Sequence, residues 1–65
     1  MKLRYFEDTD TLYIEFRGGD IAETRDLDEH TVLDVDAQGN VCAITLEHAS
    51  QRTDVGRLTR ESIGA

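Results

Sequence analysis

Four segments of the chain alternate apolar and polar residues with a period of two, and this alternation constrains the fold more than any other feature. They are 2–6 (KLRYF), 11–16 (TLYIEF), 31–36 (TVLDVD) and 41–47 (VCAITLE). Successive side chains of a β-strand point to opposite faces of a sheet, so each segment predicts a strand with one apolar face. The segments are separated by turn residues and contain no proline, so we expect an antiparallel sheet.

The connections between the first strands are polar and rich in glycine. EDTD (7–10) predicts a short turn that closes the first two strands into a hairpin. RGGD (17–20) supplies two glycines that can adopt positive φ angles, and it leads into 21–27 (IAETRDL). In that segment Ile21 and Leu27 share a face with charged residues, which predicts a weak third strand at an edge of the sheet.

Residues 34–41 (DVDAQGNV) fit two different motifs. On the EF-hand pattern, Asp34, Asp36 and Gly39 occupy ligand and glycine positions. However, strands rather than helices are predicted on both sides, and Thr45 stands where the EF-hand places its bidentate glutamate. A turn with Gly39 in the left-handed conformation joins the two strands without these conflicts. A weak divalent-metal or small-ligand site at Asp34 and Asp36 remains the alternative.

After residue 47 the apolar spacing becomes loosely helical. Ser50 is a candidate helix N-cap, Val55 and Leu58 are candidate apolar contacts, and Gly56 is expected to break the helix. The predicted fold is therefore one α+β domain over 1–65. A small antiparallel β-meander of about five short strands occupies about 1–47, and a short C-terminal helix occupies about 48–65.

The size and charge of the chain suggest a partner. A domain of 65 residues buries only roughly 60% of its unfolded surface, so its stability is expected to be marginal or shared. The net charge is −7, and residues 1–47 hold 12 Asp and Glu against 4 Lys and Arg. Because nucleic-acid binding depends on clustered cations, direct contact with nucleic acid is not expected. A basic protein partner would be attracted.

Cysteine use and hydropathy indicate the compartment. Cys42 is the only cysteine, so an internal disulfide and a cysteine-based zinc site are both excluded. The sequence has neither an apolar run of signal-peptide length nor the roughly 20 apolar residues of a membrane span. We expect a cytoplasmic protein that does not insert into a membrane.

Few residue combinations could carry chemistry. His30 lies in the acidic segment DLDEH, but His48 is the only other histidine and follows 18 residues later, so a solvated acidic turn is the favoured interpretation. Cys42, with His48 as its base, could be a nucleophile, but it lies in an apolar strand where a cysteine usually packs as a small hydrophobe. We predict neither an enzyme nor a cofactor.

Several local patterns together resemble a family of small bacterial proteins. They are the opening strand that ends in Tyr5, the strand LYI (12–14) after an acidic turn, the D-x-x-G-x-V turn over 36–41, and the pair Ala49–Ser50. Over roughly residues 1–52 the chain is similar to proteins catalogued as domain of unknown function 2283. The resemblance implies an antiparallel β-meander with a short helix. It also implies an antitoxin-like or regulatory half of a two-protein module.

The functional prediction is a small acidic protein-binding module. Its partner is expected to be another protein of basic character, or a second copy in a homodimer. The candidate contact residues are the acidic and apolar positions Asp26, Asp28, Glu29, Val55 and Leu58.

Overall fold

The computed structural model describes residues 1–58, which form five strands followed by helical turns. The elements are β1 (Lys2–Phe6), β2 (Thr11–Glu15), β3 (Glu23–Asp28), β4 (Thr31–Val35), β5 (Val41–Glu47) and α1 (Ala49–Arg52). A second helical stretch occupies 55–58. The α+β class, the five antiparallel strands and the edge position of the third strand are confirmed.

The strand order is β1-β2-β5-β4-β3, which differs from a simple meander at one connection. Residues 16–22 leave β2 and cross the end of the β4–β5 hairpin, so β3 pairs with β4 at the far edge. Three inter-strand spacings, about 14 Å, separate β2 from β3, which a short extended segment can span. The peptide N–H groups of Phe16 and Ala22 donate to Cys42 and Val35 along this path. The last strand thereby becomes the centre of the sheet.

The register places most of the large apolar side chains on one face, as the alternation predicts. Cross-strand pairs join Leu12 to Leu46 and Ile14 to Ile44. The buried residues lie in or beside the central strands: Leu12, Thr31, Val35, Cys42, Ala43 and Ala49. The molecule measures 32 × 29 × 16 Å, so its thickness is little more than one sheet with a covering turn of helix.

Two predicted turn features have different outcomes. Gly39 has a φ of 86° in the β4–β5 turn, and its N–H donates to the carbonyl of Asp36, so the predicted left-handed glycine is confirmed. Ser50 is not the N-cap of α1, because that position belongs to His48. The helix also breaks earlier than predicted, since Thr53 is extended whereas Gly56 lies inside the second helical stretch.

Candidate functional site

The side chains with the richest chemistry lie at one end of the sheet, which we call the α1 end. The β1–β2 turn, the β3–β4 turn and the exit of β5 into α1 all meet there. Because Thr31 pairs with Leu46, the residues next to them at this end, His30 and Glu47, lie side by side. The N–H of Glu47 donates to the carbonyl of His30 over 2.9 Å as a result.

Asp10 connects the first turn to α1. Its Oδ1 accepts hydrogen bonds from the Tyr5 hydroxyl (2.6 Å) and the Ser50 N–H (3.0 Å), and its Oδ2 accepts from the Ser50 hydroxyl (2.7 Å). The hydrogen bond from Tyr5, followed by those from Ser50, lowers the pKa of the Asp10 carboxyl. The same hydrogen bond raises the pKa of the Tyr5 hydroxyl. Asp10 therefore serves a helix terminus that no local side chain caps.

Arg52 joins the β3–β4 turn to the exit of β5. Its Nη1 donates to the carbonyls of His30 (2.8 Å) and Glu47 (3.2 Å), and its Nη2 donates to the buried hydroxyl of Thr31. Nη2 also lies 3.8 Å from Oδ2 of Asp28. A planar guanidinium can serve several acceptors at once, so Arg52 is a structural clamp rather than a free cation.

Beside this clamp, His30, Glu47 and His48 form an exposed group that we call the histidine cluster. One ligand atom of each residue lies within 4.8 Å of the other two. Nδ1 of His30 is 3.3 Å from Oε2 of Glu47. The two imidazole rings meet edge to face, with centroids 4.7 Å apart and planes at 85°. Nitrogen and carboxylate ligands thus converge on one point of the surface.

The position of His48 depends on its unusual backbone. Its φ of 56° lies in the left-handed region, where a residue other than glycine is uncommon. The following N–H, that of Ala49, donates to the carbonyl of Asp10, and Ala49 is buried. The chain therefore turns sharply at His48, directly after Glu47, and the ring of His48 lies against His30. Predicting this contact would have required the β4–β5 register, because the two histidines are far apart in sequence.

The two aspartates of the EF-hand-like segment serve the fold. Oδ1 of Asp36 accepts from the N–H groups of Gln38 (3.0 Å) and Asn40 (2.9 Å), and its Oδ2 accepts from the Asn40 amide (3.2 Å). The hydrogen bond from the Asn40 backbone is the main reason that the pKa of Asp36 is lowered. Asp34 accepts from the hydroxyl of Thr24 across the β3–β4 pair. The metal-binding alternative at these residues stays a prediction.

The predicted acidic contact residues lie on and beside the edge strand β3, which is exposed at all its positions. Asp26 lies in β3, and Glu29 lies in the turn that follows, with 94% of its side chain exposed. Asp28 is partly engaged, because its Oδ1 accepts from the N–H of His30 over 2.8 Å, and this hydrogen bond is the main reason that its pKa is lowered. Leu27 lies at a register shift of the strand and is 61% exposed.

The remaining candidates are placed apart from one another. Val55 and Leu58 are half-buried in the second helical stretch. Cys42 is buried, and its distance from His48 along β5 is about 20 Å, so the suggested thiol–imidazole pair does not form. The prediction that the protein is not an enzyme stays a prediction.

Sequence reasoning missed a shallow groove on the opposite edge of the sheet. It has a volume of about 390 Å³ and is lined by Lys2, Arg4, Phe6, Tyr13 and Glu15. The strand alternation could have revealed it, because the even residues of β1 share one face with the odd residues of β2. The two outer strands also differ in charge, because β1 contains Lys2 and Arg4 whereas acidic residues predominate in β3.

The family described as "Protein of unknown function (DUF2283)" matches residues 2–50, which covers all five strands and the start of α1. The chain belongs to the DUF2283 family. The match ends within α1, so both the β3 edge and the histidine cluster lie inside the DUF2283 region. No curated protein and no solved structure matches the chain. Within residues 1–58, no helix has both the length and the apolar composition required to cross a bilayer.

Proposed function

We propose that this DUF2283 protein is a protein-binding module whose partner docks against the β3 edge. The observation that carries the proposal is an edge strand exposed at every position, with Leu27 exposed between Asp26 and Asp28. An edge strand offers unpaired backbone groups to another chain, and an exposed leucine offers an apolar anchor. Flanking carboxylates select a basic segment and speed its approach.

The charges of the two edges favour a different protein over a second copy. Two β3 strands brought together would oppose acidic side chains, and two β1 strands would oppose Lys2 and Arg4. Pairing β1 of one copy with β3 of the next would be attractive, but this head-to-tail contact does not close into a dimer. A basic heterologous partner satisfies β3 without these difficulties.

Binding of a second protein would also stabilise this thin fold. The sheet is one layer thick, and Ile21, Leu27 and Val41 remain exposed. Binding of a partner to the native state adds to its stability by mass action. Beside that partner, the protein would have an antitoxin-like or regulatory role. We expect it to act in the cytoplasm, where the buried free thiol of Cys42 would stay reduced.

The test is affinity purification of the tagged protein from its own cells with matched variants. Asp26→Asn with Glu29→Gln removes two charges from the β3 side and leaves the engaged Asp28 intact. Asp8→Asn with Glu7→Gln removes the same charge from the β1–β2 turn and serves as the control. Leu27→Thr tests the apolar anchor.

We expect a stoichiometric basic partner that wild type and the control both recover. Its recovery should fall about tenfold for the β3-side variants, and moderate salt should release it from wild type. Equal recovery by all variants would place the interface elsewhere. Absence of any stoichiometric partner at low salt would contradict the proposal itself.

A further inference from the structure

We propose that His30, Glu47 and His48 bind one divalent transition-metal ion, represented by Zn²⁺. The proposal goes beyond protein binding at β3 and does not depend on it. It rests on the convergence of two imidazoles and one carboxylate at the α1 end of the sheet.

The ligand types select the class of ion. Two histidines and one glutamate form one of the three-residue sets with which proteins hold zinc, and a fourth position then remains for water or another ligand. Calcium prefers six to eight oxygen ligands, whereas this cluster offers imidazole nitrogens. Imidazole suits zinc, copper and nickel, so a transition metal is favoured over calcium or magnesium.

The distances require only a small rearrangement. Tetrahedral bonds of about 2.0–2.1 Å separate neighbouring ligand atoms by about 3.3 Å. His30 Nδ1 and Glu47 Oε2 are already 3.3 Å apart. The widest separation in the cluster is within 4.8 Å, and all three residues are exposed, so rotation of their side chains can close the remaining gap.

The backbone beneath the cluster is held firmly. The N–H of Glu47 donates a hydrogen bond to the carbonyl of His30, and Arg52 donates to the carbonyls of both residues. The hydrogen bond from the N–H of Ala49 fixes the turn at His48. The ligands therefore start from defined positions, which reduces the ordering cost of binding. The clamp's guanidinium contacts carbonyl oxygens, so the imidazole nitrogens are not occupied by it.

The carboxylate of Glu29 lies near the second ring nitrogen of His30. Oε2 of Glu29 is 3.9 Å from Nε2 of His30, which is the ring nitrogen that does not face Glu47. Metal-bound histidines commonly donate their second ring N–H to a carboxylate, which fixes the ring. A small movement of the exposed Glu29 side chain would let it accept that N–H and orient the ring for a metal bound at Nδ1. The acidic surface also attracts a cation.

The test uses the full chain without a histidine tag, titrated with ZnCl₂ in a calorimeter and followed by NMR. Co²⁺ absorption reports coordination geometry, and CaCl₂ is the control ion. We expect one Zn²⁺ per chain with saturation below about 100 µM, together with the largest shifts at the two histidine rings. Ca²⁺ should give no saturable shift there.

Three variants test the ligands individually. His30→Gln and Glu47→Gln remove one ligand each, and His48→Asn does so with a residue that tolerates the left-handed backbone. Each should weaken Zn²⁺ binding at least about tenfold. Glu7→Gln, which removes the same charge from an exposed turn, should leave the affinity unchanged. Circular dichroism checks that each variant is folded.

Two outcomes would overturn the inference. One is the absence of saturable Zn²⁺ binding by folded wild type up to about 1 mM, where even weak specific sites would fill. The other is saturable binding that survives in all three folded ligand variants, which would place the ion at another group of the chain. A partner bound at β3 is tested separately, so either proposal can fail alone.

Discussion

Asp10 and Ser50, 40 residues apart, are joined by two hydrogen bonds, one to the Ser50 N–H and one to its hydroxyl. The contact ties the β1–β2 turn to α1, a helix of only four residues that could not persist on its own. The helix terminus is capped through tertiary structure, and the histidine cluster depends on the turn that this contact fixes.

Stability should therefore fall in acid as Asp10 becomes protonated. Hydrogen bonds from Tyr5 and Ser50 lower its pKa in the folded state, so its contribution is present above the ordinary value of 3.8 and is lost as the pH falls through the lower, folded value. Asp10 has a φ of 52°, and Asp10→Asn keeps a residue that tolerates this conformation but removes the titration. Thermal unfolding between about pH 5 and pH 2 should show a smaller decrease in midpoint for the variant than for wild type. Parallel curves would contradict the assigned role.

Gly39→Ala should destabilise the protein by about 1 kcal/mol, because φ is 86° there. An added Cβ would meet nothing within 4 Å, so the cost comes from the backbone and not from a clash. Gly18 is the matched control, since it also has open space but no positive φ. Urea unfolding should show a loss for Gly39→Ala and none for Gly18→Ala. Equal midpoints would mean that the left-handed turn is not required.

The sequence predicts the strands because their signal is local. Alternation identified β1, β2, β4 and β5, and a glycine with turn neighbours identified the hairpin at Gly39. The strand order has no local signal, because the sequence of residues 16–22 does not indicate that the chain crosses the β4–β5 hairpin before it forms β3. Pairing partners have to be compared over the whole sheet.

The contacts at the α1 end are not local in sequence either. His30 and His48 meet only because Thr31 pairs with Leu46 and because the chain turns at His48. Ser50 looked like a cap from its local sequence, but the carboxylate that serves this helix comes from Asp10. The sequence contains the candidate ligands, and only the register brings them together.

Calcium should not bind specifically at Asp34 and Asp36. Asp36 already accepts three hydrogen bonds within its own turn, and Asp34 accepts one from Thr24. An NMR titration to about 1 mM Ca²⁺ should give small shifts that do not saturate. Saturation below about 100 µM, lost in Asp36→Asn, would instead support the alternative metal site.

Arg52→Lys should cost about 1–2 kcal/mol in the free energy of unfolding. A lysine cannot reproduce the fork that serves two carbonyls and the buried Thr31 hydroxyl. The exposed Arg17→Lys is the control and should change stability by less than about 0.5 kcal/mol. Chemical denaturation measures both. A neutral Arg52→Lys would mean that charge alone holds the α1 end together.

Pairing of two β1 strands from separate copies should be limited by their cations. Lys2 and Arg4 face solvent on an otherwise available edge strand, and edge charges of this kind prevent strands of separate copies from pairing. Replacing both by threonine keeps the strand propensity and removes the repulsion. Sedimentation velocity should show a concentration-dependent dimer of this double variant that wild type and Arg17→Thr do not form. If Leu58→Ser instead dissociated a wild-type dimer, the second helical stretch would be the self-association surface, as its apolar residues allow. A double variant that stays monomeric would show that β1 is protected by something other than its charge.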